Sequence, residues 1–250
     1  MQSSGPNHSK MNVLLINPNT TIAMTDRVLS AARANFGEVM AFEALTAARG
    51  VGVVASRASY AVAAQSVLET WAGSRHRPVD AIVVACFGDP GVAALRELAG
   101  VPVYGLAEST LRAANADANG FAVVTAGRRW ESMLDELVAT WGVNANYRGT
   151  YAIDATGLGA TADAARFRGL LQAAIDTAHI QGAGSIVLGG AALAGASSEY
   201  RTPARLLDCL HSTLEAVQRR ELQPTSGDAA ALPVPSQGLD PALARRLADG

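Results

Sequence analysis

From Met11 onward, short apolar runs alternate with longer alanine-rich stretches of helical spacing, the pattern of an α/β fold with buried, parallel strands. Val13 to Ile16 reads as the first strand, and Asn17-Pro18-Asn19-Thr20 as a turn opening a helix from about Thr21 to Ala34. Val39 to Leu45 reads as a second strand, Ser59 to Trp71 as a helix, and Ala81 to Ala85 as a strand bounded by Cys86-Phe87-Gly88-Asp89-Pro90-Gly91. A helix from about Pro90 to Leu98, a short strand from Val101 to Gly105 and a helix from Glu108 to Ala116 follow. The rhythm then begins again. Phe121 to Thr125 reads as a strand, Arg128 to Thr140 as a helix, Tyr147 to Ile153 as a strand, Ala162 to His179 as a helix and Ser185 to Leu188 as a strand ending in Gly189-Gly190. Leu206 to Arg219 is expected to be the last long helix, and a weak helix is expected at Asp240 to Ala248.

The second round of elements repeats the first. Ile82 to Gly91 aligns with Ile186 to Gly195, which sets Cys86 against Gly190 at an offset of 190 minus 86, or 104 residues. Leu14 to Asn17 aligns with Ala122 to Thr125 at 125 minus 17, or 108 residues. Strand, turn and closing glycine all recur, so the pattern predicts two pseudo-symmetric α/β domains with parallel sheets and an active site in the cleft between them. The expected organisation is a disordered leader at 1–10, a first lobe over 11–108 and a second over 109–205. The helix within 206–222 is expected to pack back on the first lobe, and 223–250 is expected to be a flexible tail, since it mixes Pro, Gly, Ser and Ala.

Composition narrows the partners. The 250 residues are 49% hydrophobic and 17% charged with a formal charge of −2, enough for a substantial core but without a general attraction for phosphate backbones or anionic membranes. No apolar run reaches the roughly 18 to 20 residues of a membrane span. Nucleic acid and membrane are therefore not expected as partners; a small-molecule substrate and further copies of the chain are. Cys86 and Cys209 lie in unlike settings that suit neither a disulfide framework nor a zinc site, which fits a reducing cytoplasm.

In open α/β sheets ligands bind beyond the carboxyl ends of the strands. Four loops begin at such ends, at Asn17, Cys86, Thr125 and Gly189, and they would line one cleft if the halves face each other. A thiol facing the positive end of a following helix has a lowered pKa, which makes Cys86 a candidate base or nucleophile; the alternative is a small residue that closes a strand. Asp89 before Pro90 reads first as a helix N-cap. Cys209 reads as packing within a helix, and Arg128-Arg129-Trp130 as a solvated face with a packed indole. Ser56-Arg57 reads as surface near the mouth of the cleft. Asn17, Asn19 and Thr20 could hold a carboxylate or ring amide, or could simply form the turn. His8, His76, His179 and His211 form no metal-binding spacing, and Gly157-Leu-Gly159 is only half of a dinucleotide fingerprint. No metal and no cofactor is expected.

Leu14 to Thr25 (LLINPNTTIAMT), Asp80 to Gly91 (DAIVVACFGDPG), Val101 to Glu108, Phe121 to Leu134 and Ser185 to Gly195 (SIVLGGAALAG) together resemble the Asp/Glu/hydantoin racemase superfamily, nearest its hydantoin and allantoin racemase branch. The resemblance covers roughly Met11 to Gln218. It implies a cofactor-free isomerase in which a cysteine from each half faces opposite sides of a carbon acid. Cys86 matches the first of these, Phe87 and Gly88 the backbone donors beside it, and Asn17, Asn19, Thr20 and Thr125 the substrate-anchoring positions. Where the family commonly has VLGCAG this chain has VLGGAA, which puts Gly190 at the second cysteine's place, with Gly190 and the following Ala191 expected to line the substrate site. Two related expectations stand beside racemisation. One is a single-cysteine decarboxylase of the arylmalonate decarboxylase type; the other is a pseudoenzyme that binds a small acid or cyclic ureide without turnover.

Overall fold

A computed structural model describes residues 10–74, 77–155, 163–222 and 233–249. In the first half, strands β1 (Met11–Asn17), β2 (Met40–Thr46), β3 (Ala81–Val84) and β4 (Val103–Gly105) form a sheet ordered β2-β1-β3-β4, with every neighbour parallel. In the second, β5 (Phe121–Ala126), β6 (Tyr147–Ile153), β7 (Ser185–Gly189) and β8 (Arg205–Asp208) form a parallel sheet ordered β6-β5-β7-β8. Order and register both repeat. Leu14 lies opposite Ile82 in one sheet and Ala122 opposite Ile186 in the other, the same residues that the sequence offsets pair.

Alternation along the strands explains the layers. Val13, Leu15 and Val83 point into a central core that also takes Val123 and Val187 from the second sheet. Helices α1 (Ile22–Phe36), α4 (Leu106–Asn115), α5 (Trp130–Thr140) and α7 (Cys209–Gln218) contribute Phe36, Leu111, Leu134 and Leu214 to that shared core. On the outer face of the first sheet, Leu14, Ile16 and Ile82 meet Val67 and Trp71 of α2 (Arg57–Gly73) and Leu95 of α3 (Val92–Ala99). On the outer face of the second, Val124, Ile186 and Leu188 meet Phe167, Leu171 and Ile175 of α6 (Ala164–Ile180). Both faces of each sheet are covered, which is why the central strands read as near-continuous apolar runs.

Two expectations are corrected. Leu206 to Arg219 is not one helix: Arg205–Asp208 is strand β8 and α7 starts at Cys209. Asp208 makes the break, because its extended backbone ends the strand while its carboxylate accepts the N–H groups of Leu210 and His211. Nor is the described part of the C-terminal segment a free tail. Helix α8 (Pro241–Asp249) lies on α2, with Leu243 only 2% exposed and the Arg246 guanidinium 4.9 Å from the centre of the Trp71 ring. Its apolar face supplies the burial that composition concealed. Among the described residues no helix is long and apolar enough to cross a membrane.

Candidate active site

All four loops foreseen at strand ends meet at one cavity of about 100 Å³ between the halves, on the order of the volume that takes a single ring. Asn19 follows β1, Cys86 and Phe87 follow β3, Thr125 lies in β5, Gly189 ends β7, and Gly190 and Ala191 follow it. Met24, Val53, Val54, Ala55, Trp130 and Leu193 complete an apolar wall. Asn17, Thr20 and Gly88 lie outside the lining. Gly157 and Gly159 fall outside the described residues, as do His8 and His76. His211 instead packs against Phe36, and among the described residues no cluster of three His, Cys, Asp or Glu side chains could hold a metal.

The Asn17 to Thr20 loop divides its labour. Asn17 is buried, and its amide donates to Asn19 Oδ1, Thr21 O and Thr25 Oγ1 while its oxygen accepts the Asn19 N–H. It builds the loop. Asn19 Oδ1 also accepts the Thr21 N–H at 3.0 Å, which fixes the orientation of that amide because a backbone N–H can only donate. The Asn19 Nδ2 group has no protein hydrogen bond among the described residues and sits on a cavity-lining side chain. On the other half, Thr125 Oγ1 donates to Gly189 O at 2.5 Å; with its proton engaged, this oxygen is left as an acceptor.

Cys86 is 9% exposed. The expected lowering of its pKa is reversed: burial first, and the carboxylate of Asp89 second, push the thiol up to about 12. Desolvation disfavours the thiolate, and α3 begins only at Val92, after a turn capped by Gly91. Asp89 does not cap α3 as expected. With φ of 57° it turns back, and its two carboxylate oxygens accept the Ala107 and Glu108 N–H groups of α4 at 2.8 and 2.7 Å. Burial pushes Asp89 up to about 7 against the pull of those two hydrogen bonds. Gly105 makes this possible, since a Cβ there would stand 2.2 Å from Asp89 Cγ. In the second half Asp208 occupies the place of Gly105, as the pairs Val84–Gly105 and Leu188–Asp208 indicate, and caps α7 with its own side chain.

Gly190, with φ of 151°, lines the same cavity as Cys86 from the equivalent strand end of the other half. A Cβ there would meet nothing nearer than Leu193 Cγ at 3.9 Å. Cys209, read from sequence as mid-helix packing, is the first residue of α7, fully buried, with its Sγ donating to Gly190 O at 3.7 Å. It is absent from the cavity lining, and burial raises its pKa. Trp130 is the residue that sequence reasoning missed. Its indole is packed, as expected, at 8% exposed, but what it packs is the site: it lines the cavity and donates its N–H to Val54 O of the other half at 3.2 Å. Ser56 forms a capping box with Ser59 at the start of α2, and Arg57 pairs with Glu136 of α5, neither of them among the cavity-lining residues.

Two α/β halves of one strand order, joined through a shared core and closing on a cavity with a thiol at one strand end and a glycine at the matching one, define a two-lobed cleft protein. The chain belongs to the Asp/Glu/hydantoin racemase family, whose model matches residues 13–218, and to its hydantoin and allantoin racemase branch. It is 34% identical over 190 residues to a hydantoin racemase of Paenarthrobacter aurescens, covering 74% of this chain and 79% of that one. The structure of an allantoin racemase from Klebsiella pneumoniae superposes with a TM-score of 0.81 at 30% identity, covering 93% of this chain and all of that one. The allantoin racemase of Pseudomonas fluorescens shares the fold, with a TM-score of 0.82 at 23% identity over 92% of this chain.

Proposed function

We propose that this chain is a cofactor-independent isomerase of the racemase type that acts on a small cyclic carbon acid, a hydantoin or allantoin, by proton transfer at Cys86 with Gly190 in the place of a second thiol. The observation that carries the proposal is that Cys86 is the one titratable side chain among the described residues lining the cavity, and that it sits at the strand end equivalent to that of Gly190. The Sγ thiolate takes the proton from the carbon next to the substrate carbonyl, and the electron pair of that C–H bond moves onto the carbonyl oxygen as an enolate. Donors aimed at that oxygen stabilise the charge as it develops. Return of the proton from the same thiol gives exchange with retention. Inversion requires the planar enolate to turn over in the site, or water to deliver a proton from the Gly190 side.

The polar pair on the cavity wall favours a ring amide over a free carboxylate. Asn19 offers N–H donors and Thr125 an acceptor, a match for adjacent C=O and N–H groups. A carboxylate would confront the Thr125 lone pairs, and the described lining offers no cationic side chain to offset this. The same argument disfavours a dicarboxylic substrate for decarboxylation.

The test is to incubate each enantiomer of a hydantoin and of allantoin in deuterated water and follow label and optical purity together. Exchange is expected, faster than inversion and biased toward one enantiomer, and Cys86→Ala is expected to lower it by about a hundredfold or more with the fold intact. Full exchange in folded Cys86→Ala overturns the assignment. Release of carbon dioxide from an arylmalonate in place of exchange establishes the decarboxylase instead, and binding without either reaction establishes a pseudoenzyme.

A further inference from the structure

We infer that Trp130 is a specificity-determining residue that sets the largest substituent the acidic carbon can carry; this rests on the ring-substrate reading above. The indole lines the cavity and ties one half to the other. It starts α5 in the second half, where Gly127 lies beneath its near edge, with a Cβ on that glycine falling 3.3 Å from Trp130 Cδ1. Its far edge lies against the Gly88 backbone in the turn that carries Cys86, and its N–H holds the Val54 carbonyl. Three attachments on two halves leave the ring little freedom to swing aside. The neighbouring Arg57–Glu136 pair is exposed on both sides, at 59% and 65%, and adds little.

The placement of chemistry around the ring gives the wall its role. The groups able to bind a ring amide, on Asn19 and Thr125, belong to the strand-end loops, whereas Trp130 and the Val53 to Ala55 segment it holds form an apolar wall of the same cavity. With an amide ring on the polar groups and the acidic carbon at Cys86, the remaining substituent is left to the apolar wall. The cavity, about 100 Å³, is of single-ring size, so once the amide ring is bound an aryl group on the acidic carbon has to be accommodated against Trp130.

The experiment compares deuterium exchange of 5-methyl-, 5-isobutyl- and 5-benzylhydantoin by the unmodified protein, Trp130→Ala and Trp130→Phe, with circular dichroism melts to confirm folding. The unmodified protein is expected to favour the smaller substituents. Trp130→Ala is expected to raise the benzyl-to-methyl ratio of kcat/KM at least about tenfold, the scale on which hydrophobic pockets discriminate by size. Most of that change is expected in KM. Trp130→Phe is expected to move the ratio in the same direction by less, and decides the matter if the alanine variant fails to fold. A merely structural role would depress all three substrates alike, and an unchanged ratio in the folded variants overturns this inference while leaving the ring-substrate reading intact. No exchange of any of the three by the unmodified protein overturns both.

Discussion

At the scale of single residues, a thiol held at about 12 makes the protein sensitive to alkali in two ways. In the fold the neutral form is favoured, so this group's contribution to stability is complete below the unfolded thiol's pKa of about 8.5 and is lost as pH rises toward about 12. The melting temperature is expected to fall from pH 9 to 11, less steeply in Cys86→Ala; equal slopes would show that the thiol is not desolvated. Over the same range, exchange by the unmodified protein is expected to climb about tenfold per pH unit with the thiolate fraction. Sequence reasoning reached Cys86 because strand, turn and glycine mark a strand end. It could not separate Asn17 from Asn19, since one engages its amide within the loop and the other presents it to the cavity. That difference depends on rotamers set by Thr21 and Thr25, not on composition. The thiol's pKa was misread for a related reason: burial and the nearness of Asp89 are tertiary facts.

At the scale of elements, periodicity recovered most strands and helices but not what they lean on. The helix at Asp240 to Ala248 was legible, whereas its docking was not, because the partner surface on α2 lies far upstream and only Leu243 is fully covered. Leu243→Ala is expected to lower stability by about 2–5 kcal/mol, the usual range for emptying a buried leucine site. Removal of residues 233–250 is expected to cost a comparable amount and to increase the exposure of Trp71 to a fluorescence quencher; an unchanged melt in both would show that α8 does not brace α2. Strand β8 was hidden inside a helical pattern because its Leu-Leu pair suits either state, and only the Asp208 cap divides the two. The cap at Asp89 deceived in the opposite sense. Asp-Pro suggested the following helix, and the carboxylate instead reached α4.

At the scale of the whole molecule, the duplication was the most legible feature, since similar offsets in sequence became matching strand pairs in the sheets. Contacts that cross from half to half, such as Trp130 to Val54, were beyond reach because no local pattern encodes a partner 76 residues away. The matching strand ends also make Gly190→Cys a direct test of the cleft. Its side chain has room, but φ of 151° suits glycine, so the variant is expected to lose about 1–3 kcal/mol of stability. In exchange it is expected to bring the rates of inversion for the two enantiomers closer together, measured by optical rotation; a stable variant with unaltered enantiomer bias would place the glycine off the reaction face. Gly105, far along the chain from the thiol, carries a different lesson. Any side chain there would evict the Asp89 carboxylate that ties the Cys86 turn to α4. Intolerance to substitution in this protein thus traces how force is handed through the fold, and a position that never meets a ligand can be as unforgiving as the one that does.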